Sequence, residues 1–252
     1  MVKSVIKKVK PAKGFSHILH YVLVSIIPIL AYIFVKLDFF TLAIAIVLLA
    51  KWRMLAIKPR HWLAHIRTNS VDLIVSLSLV AFMIASYNSS WLQLVWLALF
   101  EIWLLYIKPR ESTLMVSVQA LVVQALGLTA LFLAFETVPY VVYVLGAFVI
   151  SFFSARHFFN AYEENHGIQY SWLWGYFSAS LVWILAHWLL FYKNVAQPAV
   201  IISIIGYGLA SLYYLHEHDK LTKMVKRQVI FIVFALLFLI ISFANWGEGV
   251  IK

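Results

Sequence analysis

The chain contains no cysteine, only three aspartates, and ten acidic residues in 252 positions. Each shortage excludes something. Without cysteine there is no disulfide framework, no thiolate nucleophile and no Cys-ligated metal. Three aspartates, at Asp38, Asp72 and Asp219, are too few for the paired Asp-rich Mg²⁺ motifs of membrane prenyl transfer. No lysine falls in the middle of an apolar run, so a retinal Schiff base has no attachment point. No series of mid-run carboxylates marks a proton or sodium relay. Charge as a whole is scarce, at 12% of residues against about 25% in a soluble domain, which rules out a water-exposed surface of ordinary polarity.

What is there is apolar and basic. Hydrophobic residues make up 64% of the chain and the mean hydropathy is +0.92. A helix needs about 20 apolar residues to cross ~30 Å of hydrocarbon. The runs 17–36, 39–57, 70–87, 91–107, 112–134, 138–156, 171–192, 198–215 and 228–246 meet that need. The expected fold is therefore an all-α integral membrane bundle, a single domain over 1–252, of about nine transmembrane helices. An eight-helix alternative lays one run flat on the surface. The basic stretch 1–16 leads straight into the first run with no small-residue cleavage site, and it reads as a cytoplasmic N-terminus feeding an uncleaved signal anchor.

The breaks between runs alternate in character. Lys36-Leu37-Asp38, Tyr87 to Ser90, Glu136 to Pro139 and Lys193 to Pro198 are short and nearly uncharged. Lys58 to Arg67, Lys108 to Glu111, Arg156 to Gly167 and His216 to Arg227 are longer and basic. Threaded in this way, seventeen of the twenty Lys and Arg residues fall on one side, leaving Lys36, Lys193 and Lys252 on the other. The positive-inside rule then predicts a plasma (inner) membrane protein with a cytoplasmic N-terminus and an external C-terminus. It also accounts for the net charge of +10 without a nucleic-acid partner. Trp62 and Trp172 near the inner boundary, with Trp91, Trp188 and Trp246 near the outer one, fit an interfacial belt.

An internal repeat is suggested at an offset of fifty residues. Lys51 to Arg60 faces Glu101 to Arg110, and Ile-Lys-Pro-Arg recurs in both at the inner end of a run. The expected arrangement is a set of repeated helical hairpins with charged inner ends, a pattern common in transporters. The plainer reading is that Lys-Pro-Arg stops a helix and anchors it at lipid head groups.

Ionisable groups that intrude into the runs are the candidate site. Glu101 lies two turns above Lys108, Lys51 takes the matching place one repeat earlier, and Asp72 is near the inner start of the third run. The expectation is that Glu101 pairs with Lys51, Arg53 or Arg156. Glu101 and Asp72 are candidate acid/base groups. Lys51, Arg53, Arg156 and Lys223 are candidate binders of an anionic head, since Arg and Lys grip phosphate through charge-assisted bonds. The competing reading is structural: snorkelling cations and one carboxylate fixing helix packing.

Eight of nine histidines fall on the basic side. His61 and His65 are spaced i, i+4, and His216 and His218 flank Glu217. Together they offer a weak alternative metal set. The adjacent His pair of membrane desaturases is missing, and scattered interfacial histidines are the simpler account. Three function classes follow: handling (binding, modifying or translocating) an anionic lipid or lipid-phosphate at the cytoplasmic face; a non-catalytic accessory subunit docking a cytoplasmic protein or another copy of itself; and a His-based metal oxidoreductase. An inward-opening, polar-lined cavity separates the first from the second. No cofactor is indicated.

Overall fold

The computed structural model describes residues 15–52, 60, 62–134, 138–185, 191–192 and 195–244. Among these residues the chain forms nine α-helices: α1 Phe15–Lys36, α2 Phe40–Leu49, α3 Trp62–Ala85, α4 Ser90–Ile102, α5 Thr113–Ala134, α6 Tyr140–Ala161, α7 Gly167–Leu185, α8 Gln197–Glu217 and α9 Lys223–Ser242. A π-helical turn, Trp103–Ile107, continues α4. Two short strands, β1 Phe191–Tyr192 and β2 Val195–Ala196, pair antiparallel ahead of α8. Six stretches are long and apolar enough to cross a membrane: His65–Ala85, Ser90–Ile107, Thr113–Ala134, Tyr140–Ala161, Gln197–Glu217 and Lys223–Ser242. The apolar stretches Tyr21–Lys36 of α1 and Phe40–Leu49 are shorter.

Several boundaries differ from the expected ones. Arg67 and His65 lie inside α3, and Arg156 and His157 inside α6, where basic loops were expected. A hydropathy window stops where charge begins. The backbone ladder continues, because an unpaired N–H or C=O costs more than extending the turn. In the other direction, α7 ends at Leu185 and Phe191–Tyr192 is strand, so the expected run 171–192 is not one helix. The first copy of the suggested repeat falls largely on 53–59, outside the described residues.

Three helices end in the same way. Asp38, Glu163 and Asp219 adopt φ of 62°, 51° and 54°. The next residue's N–H reaches back across the last turn in each case: Phe39 to Phe34 O at 2.9 Å, Glu164 to Phe159 O at 3.2 Å, and Lys220 to Leu215 O at 2.9 Å. This is the Schellman closure, with an acidic residue in the left-handed position where glycine is usual. It fixes where Glu164 sits.

The core has two parts. One gathers α1 to α5 around Ala31, Val35, Val47, Val75, Leu79, Phe100 and Trp103. The other joins α5 to α8 around Leu128, Phe132, Tyr143, Ala147, Val182, Ala199 and Ile202. These second residues come from the end of α5, the start of α6, the end of α7 and the start of α8, which is the end of the bundle opposite the basic loops. Close approach there and along the helices uses small residues. A Cβ on Gly146 would meet Leu131 at 2.6 Å, and one on Gly175 would meet the Phe148 ring at 2.9 Å. Helix α9 packs on α8 and buries none of its residues.

Candidate functional site

The basic end of the bundle carries two polar constellations. The first is centred on Asp72, which is buried close to the middle of α3. Its Oδ2 accepts from both Lys51 Nζ and Lys108 Nζ, the latter at 2.5 Å. Its Oδ1 accepts from Trp103 Nε1 at 3.1 Å. The π-turn explains how Trp103 and Lys108 reach the same carboxylate. Residues five apart diverge by about 140° in an α-helix, whereas the bond from Lys108 N to Trp103 O (2.9 Å) closes an i→i+5 turn that stacks them. Pro109 ends this ladder because it has no N–H to offer.

Glu101 does not share in this cluster. Of its expected cations Lys51, Arg53 and Arg156, Lys51 pairs with Asp72 and Arg53 lies outside the described residues, and Glu101 bonds to the Ser25 side chain on α1. Its Oε2 is buried with no partner among the described residues. The reason is angular. Residues two apart on a helix point about 200° away from each other, so when Trp103 faces α3, Glu101 must face α1.

Gln119 on α5 links the π-turn to α6. Its Nε2 donates to Ile107 O at 2.7 Å and Arg110 O at 2.9 Å. Its Oε1 is left to accept from His157 Nε2 at 2.8 Å, which sets that ring nitrogen as the N–H donor. Beside it, Ser117 meets the Tyr162 hydroxyl at 2.8 Å.

The second constellation is a cavity of about 750 Å³ between α5, α6, α7 and α8. Because α7 and α8 are drawn together by the core at the far end, they splay towards the basic end and leave a wedge. Its floor is the Gln124 amide, ~16 Å from the start of α5 at about 1.5 Å per residue. Gln124 Oε1 accepts from Trp174 Nε1 at 2.8 Å, and its Nε2 donates to Ile202 O at 3.1 Å. Gly206 makes this possible, since a Cβ there would lie 2.5 Å from Gln124 Nε2. The body of the wedge is apolar, and Leu173, Phe177 and Leu209 along the α7 and α8 edges are exposed. It therefore opens sideways as well as endwise. The mouth carries Glu164, Tyr170, Tyr213, His216 and Glu217. Tyr213 donates a hydrogen bond from its hydroxyl to Glu164 Oε2 at 2.5 Å, and that bond, with a second from the His166 N–H, holds the half-buried Glu164 carboxyl below its ordinary range.

The candidate head-group cations are dispersed. Lys51 belongs to the Asp72 cluster. Arg53 lies outside the described residues. Arg156 sits on α6 beside the first turn of α7, with Nη1 3.9 Å from where a Gly167 Cβ would be, and feels the like charge of Arg67. Lys223 is exposed at the start of α9. None of the three described ones lines the cavity. Of the candidate metal set, His61 is outside the described residues, while His65 is on α3 and His216 and His218 are at the end of α8. Among the described residues no three His, Asp or Glu side chains gather as a metal site. Gln119, Gln124 and Tyr213 were not singled out from sequence. The two glutamines had a legible signal, as uncharged amides inside an otherwise apolar run. Tyr213 had none.

Compared with family models, with curated proteins and with solved structures, the chain matches none.

Proposed function

We propose that this protein binds a membrane amphiphile at the cytoplasmic face of the plasma membrane, with all nine helices crossing the bilayer, the basic end inside and the C-terminus outside. The observation that carries this reading is the cavity between α5, α6, α7 and α8. At about 750 Å³ it has the size of a small-molecule site. Its largely apolar body lies at the depth of the acyl chains, its side opening faces lipid, and its carboxylates are confined to the mouth. A chain would enter between α7 and α8 and leave its head at the Glu164–Tyr213 end. The anionic head expected from Lys51, Arg53, Arg156 and Lys223 has its remaining support in Arg156 and Arg67 on the surrounding surface, and not in the cavity itself.

Filling the wedge tests the reading. Ala210 lines the cavity, and Ala210→Phe should leave the fold inserted while lipid retained through purification in detergent falls sharply, as counted by native mass spectrometry. Equal retention by the variant and the parent would remove the proposal.

Helix α9 favours a second reading, the accessory subunit. Phe231, Phe234 and Phe238, at i, i+3 and i+7, form an exposed aromatic ridge on a helix that packs mainly on α8. Interfaces are enriched in such side chains. Cross-linking through a cysteine introduced at Phe234 in native membranes distinguishes a protein neighbour from lipid. No cross-linked product would retire this alternative.

A further inference from the structure

We infer that the cavity mouth selects an amphiphile whose head carries an ammonium group, primary or quaternary, over one whose head is only anionic. The inference rests on the cavity being a lipid site and names the class of lipid. Two independent features carry it.

The first is aromatic. Phe158, Phe159, Tyr170 and Tyr213 line the cavity, and their rings are set edge to face instead of stacked flat. Tyr213 lies 5.5 Å from Phe158 at 71°, 5.5 Å from Phe159 at 86°, and 5.2 Å from Tyr162 at 81°. Tyr170 leans on Phe159 at 5.4 Å. Where a face of one of these rings borders the cavity it lines, the ring quadrupole attracts an ammonium ion.

The second is charge. Both carboxylates of the lining, Glu164 and Glu217, act on the Tyr213 hydroxyl. Glu164 accepts a hydrogen bond from the Tyr213 hydroxyl on one oxygen and from the His166 N–H (3.3 Å) on the other, so each oxygen keeps a lone pair for a further donor. No Lys or Arg is among the described residues that line the cavity. The mouth is thus a local reversal on a chain whose net charge is +10. An anionic head attracted to the basic surface is repelled at the mouth. An ammonium group gains there from both carboxylates and rings.

The experiment uses the full-length protein, delipidated in an uncharged detergent and offered equimolar phosphatidylethanolamine, phosphatidylcholine and phosphatidylglycerol with identical acyl chains. Retained lipids are then counted by native mass spectrometry. The two ammonium lipids should outnumber phosphatidylglycerol by about fivefold, the scale of a partly exposed cation–ring and cation–carboxylate contact. The Glu164→Gln/Glu217→Gln double variant, altered only at groups near the surface, should bring the ratio close to one while total retention holds. Phosphatidylglycerol retained as well as or better than the others overturns the inference, as does a preference unchanged in the double variant. If the parent protein retains none of the three, the lipid-site reading itself falls and takes this inference with it.

Discussion

At its basic end the bundle solves the same problem in two ways. Between α2, α3 and the π-turn, polar groups are drawn inward and closed: Asp72 is buried and each of its oxygens is occupied. Between α7 and α8 the charged groups stay at the rim, and the space behind them is left open. The difference comes from where the helices are pinned. The first half packs along its length around Val75, Leu79 and Phe100. In the second half the core is concentrated at the opposite end, around Leu128, Tyr143 and Val182, so the helices diverge. A closed cluster is a structural joint, and an open rim is available to a ligand.

Removing Asp72 should break the comparison most severely. Asp72→Ala leaves Lys51 and Lys108 facing each other and the Trp103 N–H without an acceptor. Breaking one partner of a buried pair costs about 3–5 kcal/mol, so a large drop in thermal midpoint in detergent is expected. Lys108→Gln should cost under about 1 kcal/mol, because the Lys108 side chain is 42% exposed. Equal losses for the two would mean that the cluster does not act as a buried joint.

Gln119→Leu comes next. It frees the Ile107 and Arg110 carbonyls and strands the His157 donor, for an expected loss of about 2–3 kcal/mol. Faster hydrogen exchange confined to the π-turn would mark the site. Loss spread evenly over the bundle would argue against a local cap.

The floor of the cavity is a smaller lever. Gly206→Ala places a methyl where Gln124 Nε2 lies. The amide must swing away from Trp174 and Ile202, at a cost of about 1–2 kcal/mol. Gln124→Leu added to it should give little further loss, since the bonds are already gone. Additive losses would show that the glycine matters for some other contact.

The smallest effect sharpens the rim. The bonds from Tyr213 and the His166 N–H lower the Glu164 carboxyl from its ordinary value. A lowered carboxyl contributes stability that is fully present above its unfolded pKa of ~4.3 and is lost as pH falls through the lower folded value. The difference in thermal midpoint between the parent and Glu164→Gln should therefore be flat from neutral pH to about pH 5, and shrink below about pH 4. A difference that grew in acid would have the wrong sign for this bond.

Much of this was written in local order. The apolar runs marked most of the helices, because each needs a stretch of apolar length regardless of its neighbours. The short, nearly uncharged breaks marked where several of them stop. Gly146, Gly175, Gly206 and Gly208 each lie against a neighbouring helix. Charge, by contrast, misled on pairing. Glu101 and Lys51 looked like partners at matched depth, and only the angular setting of α4 against α1 and α3 sends Lys51 to Asp72. Depth follows from counting residues, whereas azimuth depends on which helix lies alongside.

By itself, then, the sequence determined that this is a helical membrane-type chain with one basic end, since hydropathy and charge act residue by residue. Tertiary structure alone decided that one half of that end is sealed and the other open. The wedge between α7 and α8, and the meeting of Glu164 with Tyr213 across forty-nine positions of chain, arise from splayed packing. No periodicity along a single helix encodes the angle between two of them.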